Sequence, residues 1–127
     1  MVDRTSDAEM QLMRKNFRER QERRQRELAE RLEIARKDFD RIVDHIARTY
    51  RPTRIWQWGS LIDGHHFSER SDIDIAIEGV DDPKTFFAIL GDAMDMSGLP
   101  VDVVQIETIH PAYADSIRNR GRIVYER

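Results

Sequence analysis

From residue 8 to residue 48 the chain runs without proline or glycine, and Leu28, Leu32, Ala35, Phe39, Ile42 and Ile46 recur at spacings of three and four. That period predicts one helix whose apolar stripe lies against the rest of the fold. Upstream the stripe thins: Met10, Met13 and Phe17 are followed by Arg18 to Glu27, a run with no apolar residue. Such a run reads as a solvated helix extension or a partly disordered tail. Tyr50-Arg51-Pro52 ends the helix, because the residue before a proline is biased away from helical angles. Short strands are then expected at Arg54 to Trp58, Asp72 to Glu78 and Val101 to Ile106. A turn or loop covers 61 to 70, and Asp82-Pro83 opens a helix that runs to about Met96. A last short helix, about 111 to 118, leads through Gly121 to Ile123, Val124 and Tyr125. Three short central strands alternating with helices predict a small α+β (two-layer α/β) domain with helices on one face. The chain divides into a helical extension, 1–50, whose second half packs on the core, and a domain at 51–127. No internal repeat is visible.

Charge sharpens this division. Residues 1–50 carry 13 Lys and Arg against 11 Asp and Glu, whereas residues 51–127 carry 8 against 13. An acidic globular half argues against direct nucleic-acid binding, although the cationic stretch of the helix offers a surface for RNA or for an acidic partner. No apolar run approaches the roughly 20 residues of a membrane span, and the N-terminus shows no apolar signal-peptide core. The expectation is a cytoplasmic protein without membrane contact. Cysteine is absent, which excludes disulfide and thiolate chemistry.

The strand at 72–78 carries the chemistry. Alternation sends Ile73, Ile75 and Ile77 to the core and Asp72 and Asp74 to the other face. Two carboxylates so close repel each other, and a hard divalent cation, magnesium or manganese, removes that cost. Two solvent-facing aspartates on an exposed strand would give the same spacing. Asp102, flanked by Val101 and Val103, adds a third carboxylate if its strand neighbours that of Asp74. Such a cluster can hold cations and orient an attacking hydroxyl for phosphoryl or nucleotidyl transfer. Gly59 and Ser60 end the first strand at the same rim, where backbone amides and a hydroxyl can donate to phosphate oxygens.

Gly59-Ser60, Gly64, Ser71-Asp72-Ile73-Asp74 and the later Asp102 resemble the signature of the DNA-polymerase-beta-type nucleotidyltransferases, specifically their minimal branch. The likeness spans about Arg54 to Arg127. It implies a small mixed sheet backed by helices, a nucleotide triphosphate held by Gly59 and Ser60, and magnesium bound by Asp72, Asp74 and Asp102, with Asp102 assisting the incoming nucleophile. Members join an NMP, often AMP from ATP, to a hydroxyl. Minimal members are commonly paired with a small helical HEPN-domain toxin, whose tyrosine receives AMP, so the resemblance implies an antitoxin with that partner. Transfer to a small hydroxylated molecule such as an aminoglycoside, modification of RNA, and a noncatalytic protein that covers its partner are the other readings. A second copy of the chain is a further candidate for the surface that a small catalytic domain lacks.

Two departures from the pattern stand out. Eleven residues separate Ser60 from Asp72, one more than in the commonest form, and position 63 is Asp where many relatives carry Arg. A cationic phosphate contact is therefore missing there, and Arg70 is the compensating candidate. His65 and His66 lie in the loop over the site, where solvated histidines are the ordinary case. Trp56 and Trp58 share one strand face and read as packing residues, with nucleobase stacking the alternative. Tyr125 and Arg127 are expected near the sheet edge.

Overall fold

The computed structural model describes residues 4–127, and in it the proline-free stretch is one helix, α1, Arg4–Tyr50. The first three residues of the expected extension lie outside the described residues. At about 1.5 Å per residue the 47-residue helix is far longer than the domain it serves. Arg51 closes it in a left-handed conformation (φ 49°), donating its N–H to the Ile46 carbonyl, and Pro52 then prevents continuation.

Four strands follow: β1 (Arg54–Trp58), β2 (Ile73–Glu78), β3 (Val101–Gln105) and β4 (Arg122–Glu126). They form one mixed sheet in the order β3-β2-β1-β4. β1 is antiparallel to both β2 and β4, and β2 is parallel to β3. The parallel pair is joined by the crossover helix α2 (Pro83–Met96), whose first turn is capped by the Asp82 carboxylate accepting from Thr85 N–H. Helix α3 (Pro111–Arg120) begins after His110, whose Nδ1 accepts from Ala112 N–H, and leads into β4.

The α1 stripe is buried as its period requires. Ala35, Phe39, Ile42 and Ile46 pack with Ile55, Ile73, Ile75, Ile77 and Val103 in the main core, to which α2 adds Ile89 and Ala93. Hydrogen bonds also tie α2 to α1. Tyr50 Oη donates to Asp92 Oδ2 at 2.6 Å, and Arg41 Nη2 donates to the Met96 carbonyl at 2.8 Å.

The structure corrects the sequence reading in three places. Helices cover both faces of the sheet, because Trp56 and Ala76 give the second face its own apolar patch, buried by Ala114 and Ile117 of α3. The chain after Gly121 is a fourth strand, pairing on the free edge of β1: Tyr125 stands opposite Ile55, and Arg127 N–H bonds the Thr53 carbonyl. Asp72 stands one residue before β2, since pairing with β3 begins at Ile73 opposite Val101.

Candidate active site

Register puts the chemistry in one row. Trp58 of β1 pairs with Asp74 of β2, and Asp74 pairs with Asp102 of β3. Neighbouring strands lie about 4.8 Å apart, so residues in register have their side chains on one face within electrostatic reach. The row runs along the face that carries α3, opposite the isoleucine core. Asp74 is half-buried, and its carboxyl is pushed up from 3.8 to about 7, first by burial, then by the charge of Asp102, then by that of Asp72. All three sequence-identified carboxylates thus act on one point.

The three do not close into a cage. Among the described residues no three Asp, Glu or His side chains are gathered so as to hold a metal ion. Like charges in one row repel, and a cation or protons would lower that cost. The donor chemistry nonetheless fits a hard dication: the cluster offers only carboxylate oxygens, one of them on a group that burial already disfavours as an isolated anion.

Gly59 explains itself in three dimensions. Its φ is +81°, and a Cβ there would run into the Asp74 carboxylate, with Cγ at only 3.0 Å. The glycine therefore lets the turn after β1 lie directly against the metal-ligand candidate. Ser60 starts a run of turns in which its carbonyl accepts from Gly64 N–H and that of Gly59 accepts from Ile62 N–H. Gly64, also at positive φ, brings this loop against Leu32 and Arg36 of α1. Phe67 is buried in the main core and holds the loop down.

Beside the row lies a cavity of about 470 Å³, with Trp58, Gly59, Asp63 and His66 on one side and Tyr113, Ser116 and Arg120 of α3 on the other. Tyr113 meets Trp58 edge-on at 5.3 Å between ring centroids. Burial and then the charges of Asp102 and Asp74 raise the Tyr113 phenol pKa, which ties this wall to the carboxylates. Trp58 Nε1 is buried without an acceptor. Asp63 uses Oδ1 to accept from His65 N–H, an ordinary turn contact, while its side remains part of the cavity wall.

Arg70, the compensating candidate, stands outside this cavity. It is exposed, and its backbone N–H bonds Ser68 Oγ. The cation on the cavity wall is Arg120. The sequence reading missed Arg120, Ser116 and Tyr113, although their i, i+3, i+7 spacing marks them as one helix face. A second cavity of about 400 Å³ lies between α1 and the sheet, lined by Arg36, Asp40, Gln57 and Arg122; neither cavity is lined by Asp72, Asp74 or Asp102, and the first is the one that borders their row through Trp58 and Gly59.

A mixed sheet with one aspartate on a strand and another just before it, a third on the parallel neighbour and a Gly-Ser turn at the rim is the arrangement of the nucleotidyltransferase class. The Polymerase beta, Nucleotidyltransferase family matches residues 40–127, and the chain belongs to that family. No curated protein matches the chain in sequence. Among solved structures it is similar to a crystal structure of the toxin-antitoxin MntA-HepT, with 16% identity, 72% of this chain and 73% of that one covered, and a TM-score of 0.55. A mutant form of that toxin-antitoxin gives 19% identity over 69% of this chain and 72% of that one, with a TM-score of 0.57. A toxin-antitoxin crystal structure with AMP-PNP gives 22% identity, 68% and 73% coverage and a TM-score of 0.52. At these identities the likeness establishes the fold. Among the described residues no helix is long and apolar enough to cross a membrane.

Proposed function

We propose that this protein is a metal-dependent adenylyltransferase that moves AMP from ATP to a hydroxyl, a tyrosine, of a HEPN-type partner toxin, and so acts as an antitoxin. The observation that carries the chemistry is the register of Asp74 with Asp102, with Asp72 close enough to perturb the same carboxyl. The acceptor is supported more distantly, by fold likeness to toxin-antitoxin structures, one of them with AMP-PNP.

Asp72, Asp74 and Asp102 would hold magnesium or manganese, which supplies charge neutralisation for the triphosphate and the acceptor oxygen. The chain's own groups do the rest. Gly59 and Ser60 present the turn against which phosphates lie, and Arg120 provides the cation that Asp63 does not. The ring pair Trp58 and Tyr113 offers an apolar wall for a base. Asp102, the most exposed of the three, accepts the proton of the incoming hydroxyl. The hydroxyl oxygen bonds to the α-phosphorus, the bond to the bridging oxygen breaks, and pyrophosphate leaves with that electron pair.

The test is incubation of the full chain with the partner toxin, magnesium and ATP labelled at the α-phosphate. Label and one AMP of added mass should appear on the toxin, with pyrophosphate released, and both should vanish with Asp72→Ala/Asp74→Ala. No transfer, together with full neutralisation of the toxin by that double variant, would sink the enzymatic reading and leave a protein that works by covering its partner.

A further inference from the structure

The stripe that seats α1 on the core continues past the core. Leu28 and Leu32 are half-covered, and at the same 3.6-residue period Met10, Met13 and Phe17 extend the stripe with 48%, 68% and 59% of their surfaces exposed. Every residue from Ser6 to Glu27 is exposed, so this length of helix touches almost nothing of its own domain.

Its direction is fixed by contacts. Arg24 pairs with Glu69 at 3.0 Å, Arg31 reaches the Ser71 carbonyl and Leu32 meets Gly64, whereas the Tyr50 end binds Asp92. The helix therefore leaves the domain beside the loop that joins Gly59 to Asp72, at the end of the sheet where the carboxylates stand. From Asp7 to Arg23 it projects about 25 Å beyond that end at the usual helical rise.

The chemistry of the projecting arm is distinct from that of the domain. Between Arg14 and Arg26 there are seven cations and two carboxylates, against 8 and 13 for residues 51–127. We propose that this arm docks the protein acceptor: a helix of the partner, with an apolar stripe bordered by acidic side chains, lies along Met10, Met13 and Phe17 and is held at the rim of the carboxylate site. The proposal rests on the transferase reading above and names the surface by which that reaction finds its acceptor. The i, i+3, i+7 anchors are those by which helices recognise each other, and the two methionines adapt to a partner's relief. A second arm is the poorer occupant, since pairing two copies sets seven cations against seven. Nucleic acid is disfavoured by the large apolar side chains leading this face and by the acidic site at its base.

The experiment compares the full chain with Met13→Asp/Phe17→Asp, both of which keep the core intact. Calorimetric titration with the purified partner toxin should show at least tenfold weaker binding for the variant, with magnesium-dependent ATP binding and helical circular dichroism unchanged. In the transfer assay KM for the toxin should rise by a similar factor while kcat holds. If the wild type binds the toxin but transfers nothing, the transferase reading fails, and the arm still stands or falls on the binding difference. Equal affinity of variant and wild type overturns the proposal, as does a wild type that does not bind the toxin. It is also overturned if sedimentation shows a wild-type dimer that the variant loses, or if the arm's binding is to a labelled single-stranded RNA and not to the toxin.

Discussion

Asp74 concentrates the conflict built into the site. Its folded pKa of about 7 lies above the ordinary 3.8, so between about pH 4 and 7 the folded chain keeps a proton that the unfolded chain releases. Stability from this group is therefore present in acid and lost as pH rises through that window. At about 1.36 kcal/mol per pKa unit the loss is a few kcal/mol at most, reduced by solvent screening of a half-exposed group. Chemical denaturation across pH 4 to 8 should show the decline in the wild type without metal, and Asp74→Asn should flatten it. An unchanged slope in that variant would place the titrating group elsewhere. Gly59→Ala tests the neighbouring constraint: positive φ and overlap with Asp74 together should cost about 1–3 kcal/mol and remove ATP binding, read by thermal melting and titration. These residues were legible in the sequence because strand parity fixes which side a residue faces. The Tyr113 and Arg120 wall was not, since parity says nothing of which helix crosses the row, and the long-range placement of α3 decides that.

At the scale of elements, α1 is two objects in one helix. Its C-terminal half is core, so Ile42→Ala should destabilise by about 2–5 kcal/mol, whereas Phe17→Ala, on the exposed arm, should stay within about 0.5 kcal/mol. Urea titrations of both variants separate the halves, and a large loss from Phe17→Ala would show that the arm is part of the folding unit. Periodicity revealed the second half of α1, α2 and the first three strands to within a residue or two, because each has an apolar face with a clean period, whereas Arg18 to Glu27 has none and was left open between helix and disordered tail. β4 was harder, since Ile123 is exposed and only Val124 and Tyr125 are half-covered, leaving an edge strand with little alternation to read. α3 was recognised as a helix but assigned no face. Its polar side now carries a prediction: Arg120→Gln should raise KM for ATP about tenfold, as loss of one charged contact to phosphate does, without lowering the melting temperature. An unaltered KM would return the missing cation to Arg70 or leave the phosphates without one.

A metal site at the three aspartates would couple folding to cation binding, and that coupling is measurable without any acceptor. Asp72, Asp74 and Asp102 are brought together only by folding, because they come from two strands and the residue before one of them. The unfolded chain has no such site, so a cation that binds the fold must stabilise it. At a free concentration a hundredfold above its dissociation constant the gain is about 2.7 kcal/mol. Such binding would also displace the proton that Asp74 holds below about pH 7. Magnesium should accordingly raise the melting temperature more at pH 8 than at pH 5, where it must compete with that proton, and titration at pH 6 should release protons to the buffer. Matched sodium chloride controls remove simple screening. A melting temperature indifferent to magnesium at both pH values, with ATP present and absent, would mean that the three aspartates do not form a metal site in this chain.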